Sequence, residues 1–135
     1  MIYKLTERTP LGKMDLLSDD KAWLKKAGKE LKEYFKGKRK RFTLRIDVDR
    51  LFATDFQKKV WKGLLKIPYG KLVSYGDLAK MIRRPKAVRA VGSACGKNPI
   101  PIIIPCHRVI AGNGKLGGFS CGLWRKKWLL KHEQV

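Results

Sequence analysis

The sequence predicts an α+β fold: a small N-terminal lobe with a short antiparallel sheet and one helix, then a mostly helical C-terminal domain containing a helix-turn-helix. Two observations support this prediction. The length of 135 residues allows about one domain of average size. Strand-like and helical segments alternate before residue 50, whereas signals that begin helices recur from residue 54 onward. We therefore expect a lobe of residues 1–50 and a domain of residues 51–135.

The charge of the chain favours a polyanionic partner. Lys and Arg number 32 against 11 Asp and Glu, a formal net charge of +21. Residues 51–135 carry +14 of it, so this part is expected to face the polyanion, either nucleic acid or an anionic membrane surface. An apolar content of 44% excludes a disordered chain. No apolar run has the length of a membrane span and no signal-peptide pattern opens the chain. We therefore expect a cytoplasmic protein that does not associate with a membrane.

The cysteine pattern excludes a disulfide framework. The chain has three cysteines, an odd number, and no CxxC pair: Cys95, Cys106 and Cys121. His107 and His132 are the only histidines and form no ligand pattern with the cysteines, so no metal is expected. Either one thiol is reactive or all three are buried and inert.

The N-terminal lobe is predicted to contain strands at residues 1–4 and 13–17, separated by the turn Thr-Pro-Leu-Gly. Apolar residues at helical spacing predict a helix over Lys21–Phe35. The basic run at 36–41, Lys-Gly-Lys-Arg-Lys-Arg, ends it as a solvated loop or as a contact patch. Alternation predicts a further strand at 42–48.

The C-terminal domain is predicted to begin with two capped helices. Thr54 to Gln57 form a capping box that opens the first helix, which ends before Pro-Tyr-Gly at 68–70. Ser74 begins the second helix. A basic turn at 83–85 leads to a third helix at 86–95, so the second and third helices form the predicted helix-turn-helix.

The third helix predicts a DNA-facing surface. Few of its side chains are long, so the helix could enter a narrow minor groove with Arg89 as the one long side chain that reaches into the DNA. The alternative is a solvated amphipathic helix. The predicted buried face is Val88, Val91 and Cys95. The predicted DNA-binding face is Lys86, Arg89, Ala90 and Ser93.

A candidate nucleophile follows a buried run that is predicted to be extended over 100–104. Pro105 precedes Cys106 and His107, and a thiol becomes a nucleophile when a nearby base or positive charge favours its thiolate. Adjacent side chains of a strand point to opposite faces. Contact between Cys106 and His107 therefore needs a bend or a bridging water.

These residues carry a family resemblance. The segment 91–109, Val-Gly-Ser-Ala-Cys-Gly-Lys-Asn-Pro-Ile-Pro-Ile-Ile-Ile-Pro-Cys-His-Arg-Val, resembles the active-site signature of the O6-alkylguanine-DNA alkyltransferases. The similarity continues through Ile-Pro-Tyr-Gly at 67–70, Gly-Gly-Phe-Ser-Cys-Gly at 117–122 and Trp-Leu-Leu-Lys-His-Glu at 128–133. It spans residues 54–135, and the N-terminal lobe matches more loosely.

The resemblance implies a role for each catalytic residue. Cys106 accepts the alkyl group from O6 of guanine in a single irreversible transfer, without a cofactor. His107 acts as the base through a water, and Glu133 orients it. Asn98 ties the preceding turn to the active-site backbone. Tyr75 donates a hydrogen bond to the guanine ring.

The resemblance also implies how DNA is held. The partner is double-stranded DNA containing O6-alkylguanine, and O4-alkylthymine is a further substrate, bound by a monomer. Arg89 fills the stack when the base flips out. The implied pocket residues are Val109, Gly117, Phe119 and Ser120. Members often carry Tyr at the position of Phe119 and Gly at that of Cys121, and the zinc ligands of some N-terminal lobes have no counterparts here.

Two other functions remain open. A non-catalytic binder of alkyl lesions resembles the same family but lacks the acceptor cysteine, and Cys106 argues against it. A general helix-turn-helix DNA-binding protein accounts for the positive charge but leaves Cys106, His107 and Glu133 without a role.

Overall fold

The computed structural model describes residues 2–118 and 121–134. The chain divides into two compact units, Met1–Ile46 and Asp47–Val135. Both α and β structure are present, which confirms the predicted α+β class.

The N-terminal unit begins with a β-hairpin. Strands β1 (Tyr3–Thr9) and β2 (Gly12–Ser18) pair antiparallel, with Thr9 opposite Gly12. The Thr9 hydroxyl closes the turn by donating to the Gly12 carbonyl at 2.7 Å and accepting from the Leu11 N–H at 3.0 Å. Both predicted strands are present. β1 extends beyond residue 4, because the turn is short enough for pairing to continue up to it.

Helix α1 (Lys21–Phe35) packs on the hairpin and matches the predicted helix. Asp20 caps its N-terminus by accepting from the Trp23 N–H at 3.0 Å. Gly28 marks the close approach of the helix to β1, since a Cβ there would lie 2.6 Å from the Leu5 side chain. The helix buries its apolar stripe and one carboxylate: Leu24, Ala27, Leu31, Tyr34 and Glu30.

The predicted strand at 42–48 is wrong. The segment is irregular and ends in a 3-10 turn, Val48–Arg50. The backbone groups of this segment form hydrogen bonds with side chains of α1 and not with a neighbouring strand. Glu30 accepts from the Thr43 N–H at 2.7 Å, and the Trp23 indole donates to the Arg45 carbonyl at 2.9 Å. Alternating burial therefore arises without a β-ladder.

The C-terminal unit begins with two capped helices, as predicted. In α2 (Asp55–Leu64) Thr54 and Gln57 form a capping box, and in α3 (Tyr75–Met81) Ser74 and Asp77 form another. The two helices approach closely at Gly63, where a Cβ would lie 2.9 Å from the Ile82 side chain.

The third helix, α4 (Val88–Gly96), follows α3 after a turn in which Arg83 has φ 61°. It begins two residues later than predicted. Its buried face is Val91, Ala94 and Cys95, whereas Val88 is 40% exposed and was wrongly placed in the core. Val88 is the first helical residue, so the packing against α2 and α3 begins one turn further on. The Trp61 indole joins α2 to α4 by donating to the Ala94 carbonyl at 2.9 Å.

The remaining elements bring the end of the chain to the core. Strands β3 (Val73–Ser74) and β4 (Val109–Ile110) pair parallel, and α5 (Leu123–His132) follows. Among the helices that the structure describes, none combines the length and apolar character of a membrane crossing.

Glu30 generates a prediction about pH. Burial raises its pKa, but hydrogen bonds from Thr43 and the charge of Arg39 outweigh this, so the pKa lies below the ordinary 4.5. A depressed pKa stabilises the fold above the unfolded value, and the stabilisation is lost as pH falls through the folded value. Glu30→Gln is expected to lower the free energy of unfolding at pH 7 by about 1–3 kcal/mol, and by much less near about pH 3.

Denaturant unfolding at both pH values measures this difference. Glu33→Gln is the matched control, because Glu33 is more exposed and also pairs with Arg39. Equal losses for Glu30→Gln at the two pH values would contradict the role of the carboxylate charge.

Candidate functional site

The segment before Cys106 is a turn, and its predicted extended conformation is wrong. Ile102 has φ 78°, and the Ile104 N–H donates to the Ile100 carbonyl at 2.9 Å. Asn98 holds this turn from inside. Its amide donates to the Ile104 carbonyl at 2.7 Å, and its oxygen accepts from the Ile100 N–H at 2.9 Å. The apolar run thus folds around an asparagine rather than along a sheet.

Cys106 begins a 3-10 turn, Cys106–Arg108, and is 5% exposed. Successive residues of a 3-10 turn point about 120° apart, so the side chains of Cys106 and His107 diverge in this turn. Burial raises the pKa of the thiol to about 11, and hydrogen bonding from Asn98 opposes this. The resting thiol is therefore protonated at neutral pH, and a base must remove its proton before it can act.

His107 is a buried neutral base held by a carboxylate. It has no exposed surface, and its Nε2 lies 2.7 Å from Oε2 of Glu133. Burial lowers its pKa despite the carboxylate. Because an ionised carboxylate only accepts hydrogen bonds, Nε2 carries the proton. Nδ1 is then the free acceptor, and no described residue provides it with a hydrogen-bond partner.

Glu133 is bound on two sides, and sequence reasoning missed its second partner. Arg108 donates to both carboxylate oxygens, from Nε at 2.9 Å and from Nη2 at 3.1 Å, and its Nη1 donates to the Ile67 carbonyl at 2.7 Å. The Gly70 N–H also donates to Glu133 at 3.3 Å. A buried carboxylate needs a paired cation. The available signal was therefore the position of Arg108 directly after His107 in the sequence.

A second missed residue, Lys126, is fully buried at the start of α5. Its Nζ donates to three carbonyls, of Val109 at 2.6 Å, Leu116 at 2.5 Å and Gly118 at 3.3 Å. Burial lowers its pKa. Its position three and four residues before the buried Leu129 and Leu130 was the available signal, since this spacing puts it on the core face.

Tyr75 and Lys126 hold the loop after β4 from two sides. The Tyr75 hydroxyl donates to the Gly118 carbonyl at 3.3 Å. Gly117 has φ 71°, and a Cβ there would lie 3.0 Å from the Tyr75 ring, so glycine is required twice over. Burial raises the pKa of Tyr75, which keeps its hydroxyl a hydrogen-bond donor.

The structure places the predicted site residues in three groups. Asn98, Cys106, His107 and Glu133 form one connected centre. Tyr75, Val109 and Gly117 belong to the adjoining loop, with Val109 fully buried beneath it. Phe119 and Ser120 lie outside the described residues.

The predicted DNA-binding residues form the third group. Arg89, Ala90 and Ser93 are exposed on α4, and Lys86 is exposed in the turn before it. This face lies opposite the buried residues of the helix, so a basic stripe with little bulk is open to a partner.

Within residues 2–118 and 121–134, no group of three His, Cys, Asp or Glu side chains is arranged to hold a metal ion.

Comparisons with known proteins agree on one family. The family model described as 6-O-methylguanine DNA methyltransferase, DNA binding domain, matches residues 55–135. A methylated-DNA–protein-cysteine methyltransferase of Methanosarcina mazei is 47% identical over 116 residues, which are 86% of this chain and 72% of the relative.

Solved structures give the same result. The Mycobacterium tuberculosis O6-methylguanine methyltransferase superposes with a TM-score of 0.88 at 38% identity, covering 99% of this chain and 93% of that one. The crystal structure of Mycobacterium tuberculosis OGT in complex with DNA gives 0.86 at 40% identity, with 96% and 91% covered. The chain therefore belongs to the methylated-DNA–protein-cysteine methyltransferase family.

Proposed function

We propose that this protein repairs alkylated DNA by transferring the alkyl group from O6 of guanine to Sγ of Cys106. The observation that carries the proposal is the buried thiol next to a neutral histidine whose Nδ1 is free to accept a proton. The named activities of the relatives support the reaction class. O4-alkylthymine offers an equivalent alkyl–oxygen bond and is included as a second substrate.

The transfer begins with removal of the thiol proton. Cys106 and His107 point apart in the 3-10 turn, so one water relays the proton from Sγ to Nδ1 of His107. Glu133 holds the proton on Nε2 and stabilises the imidazolium that forms. The positive charge of Lys126 also favours the thiolate over the thiol.

The thiolate then displaces guanine in line. The S–C bond forms as the C–O6 bond breaks, and the electron pair passes into the purine. Tyr75 keeps its phenolic proton. Its hydroxyl, which donates to the Gly118 carbonyl in this structure, donates to the guanine ring instead as that charge develops. No cofactor is needed, because the alkyl group stays on Cys106 and each molecule acts once.

Access to the thiol requires the base to leave the helix. Cys106 is 5% exposed, so O6 of a stacked guanine cannot reach Sγ. We propose that α4 enters the minor groove of double-stranded DNA and that Arg89 occupies the space left by the flipped base. The small side chains of Ala90 and Ser93 allow the helix backbone to come close to the groove, and Lys86, in the turn before the helix, contacts a phosphate. We further propose that the loop at Gly117 forms the base pocket above the buried Val109; the roles in this pocket that the resemblance implies for Phe119 and Ser120 are part of the same proposal.

The two alternative functions use less of the site. A non-catalytic lesion binder needs the DNA-facing helix but not the buried thiol, and a general DNA-binding protein needs neither Cys106 nor the His107–Glu133 pair.

We also propose that the protein acts as a monomer. Residues 51–135 are then its DNA-binding and alkyl-acceptor domain.

Cys106→Ser is expected to abolish alkyl uptake and to leave DNA affinity nearly unchanged, because affinity depends mainly on phosphate contacts. Intact-mass measurement after mixing with O6-methylguanine DNA detects the added methyl group. Cys95→Ser and Cys121→Ser are the matched controls and are expected to gain the methyl. Methyl uptake by Cys106→Ser would refute the acceptor assignment.

His107→Gln is expected to change the pH dependence of alkyl transfer from free O6-benzylguanine. In the wild type the proton moves from thiol to imidazole, so the rate is flat between about pH 7 and 9. The variant keeps a donor to Glu133 but has no base. Its rate must follow direct ionisation of a thiol whose pKa is about 11, and so rises about tenfold per pH unit over that range.

Stopped-flow measurement at fixed ionic strength gives both profiles. Asn98→Ala is the comparison variant, because it perturbs the thiol without removing the base. A flat profile in His107→Gln would show that another group takes the proton.

Arg89→Ala is expected to slow repair of duplex DNA by at least tenfold while leaving the reaction with free O6-benzylguanine within about twofold, since Arg89 assists flipping rather than displacement. Single-turnover rates with the two substrates measure the effect. Lys97→Ala removes a neighbouring exposed charge and serves as the control. Equal losses on both substrates would argue for a folding or chemical role of Arg89.

A further inference from the structure

The basic run at 36–41, named here the basic loop, has a defined conformation. Helix α1 ends directly before it, with the Lys36 N–H donating to the Lys32 carbonyl at 3.1 Å and the Lys38 N–H donating to the Glu33 carbonyl at 2.9 Å. Gly37, between them, has φ 74° and open space around its Cα. This arrangement is a glycine-terminated helix end, so the first half of the loop is fixed by backbone hydrogen bonds.

Aromatic packing holds both ends of the basic loop on one side chain. Tyr34 has no exposed surface. The centroid of its ring lies 5.4 Å from that of Phe35, just before the loop, and 5.6 Å from that of Phe42, just after the loop. The entry and exit of the loop are thus anchored at the same buried point.

Arg39 is the inward-facing cation of the basic loop. It lies 3.3 Å from Glu33 and 3.7 Å from the buried Glu30, and its Nη1 donates to the Arg41 carbonyl at 2.9 Å. Arg39 therefore joins the loop to α1 and neutralises the acids beneath it.

The other cations of the basic loop point to solvent. Lys36, Lys38, Lys40 and Arg41 are exposed. For Lys36, Lys38 and Arg41, no acidic side chain within residues 2–118 and 121–134 forms an ion pair. The charge of these three exposed side chains is therefore available to a polyanion.

We propose that the basic loop is a phosphate-binding surface for the backbone of duplex DNA. The inference rests on the proposed function. An anchored loop loses little conformational freedom when it binds, so its contacts yield more affinity than those of a mobile tail. A membrane surface is disfavoured, because the exposed positions between Phe35 and Phe42 carry charge and glycine but no apolar anchor.

The salt dependence of DNA affinity tests the proposal. The variant combines Lys36→Gln, Lys38→Gln and Arg41→Gln and leaves Arg39 in place. Removing one phosphate contact lowers the slope of log affinity against log salt by about 0.9. If the variant removes two such contacts, the ratio of wild-type to variant affinity changes roughly 12-fold between 50 and 200 mM salt. Fluorescence anisotropy with an undamaged duplex measures the slope.

The matched control combines Lys13→Gln, Lys21→Gln and Lys25→Gln, which removes the same charge from exposed positions of the same unit. This control is expected to keep a slope close to that of the wild type. Equal slopes for the two triple variants would overturn the proposal, because net charge alone would then explain the effect. An unchanged slope in the basic-loop variant, with loss of binding to vesicles of anionic phospholipid, would also overturn it.

The transfer of the benzyl group from free O6-benzylguanine separates this proposal from the proposed function. All three proteins are expected to react at the same rate, since no DNA is involved. A wild-type protein that fails to react would refute the proposed function, whatever the salt slopes are.

Discussion

The buried carboxylate of Glu133 is the constraint on which the reactive centre depends. It lies at the end of α5 and accepts hydrogen bonds from the Arg108 guanidinium, from His107 Nε2 and from the Gly70 N–H. These donors come from separate parts of the chain, so one charge joins the last helix to the 3-10 turn and to the turn after α2. A buried carboxylate is tolerated only when its oxygens are paired in this way. The same pairing decides which nitrogen of His107 is free.

Two buried cations have complementary effects around Cys106. Arg108 neutralises Glu133, so that the carboxylate orients His107 without drawing its proton away. Lys126 donates its hydrogen bonds to loop carbonyls, while its charge favours the thiolate. Burial nevertheless keeps the thiol pKa at about 11. The transfer proposed above benefits from this balance, because a protonated, buried thiol resists stray electrophiles and oxidants until a substrate is in place.

The sequence allowed the helices to be predicted, because they depend on local signals, and the family resemblance named the side chains that the structure brings together around Cys106. Capping boxes at Thr54 and Ser74 begin α2 and α3 as expected. The errors arose where a side chain distant in sequence decides the backbone. In the segment 42–48, the Thr43 N–H donates to Glu30 and not to a neighbouring strand. In the apolar run before Cys106, the hydrogen bond from Asn98 to the Ile104 carbonyl holds the backbone in a turn. Alternation and apolar content do not encode such partners. Lys126 was missed for a related reason, since a charged residue on a core face reveals its carbonyl partners only after folding.

Glu30 and Glu133 show how a chain with a net charge of +21 uses its few acids. Each is almost fully buried, at 2% and 3% exposure, and each pairs with an arginine. Glu30 fixes the segment that follows the basic loop, whereas Glu133 fixes His107 beside Cys106. Exposed positive charge repels itself and destabilises a compact state. These two carboxylates lie inside, so each fixes the conformation of one segment without adding negative charge to the surface. The same positions explain why removing either acid should disturb a functional surface and not only the charge balance.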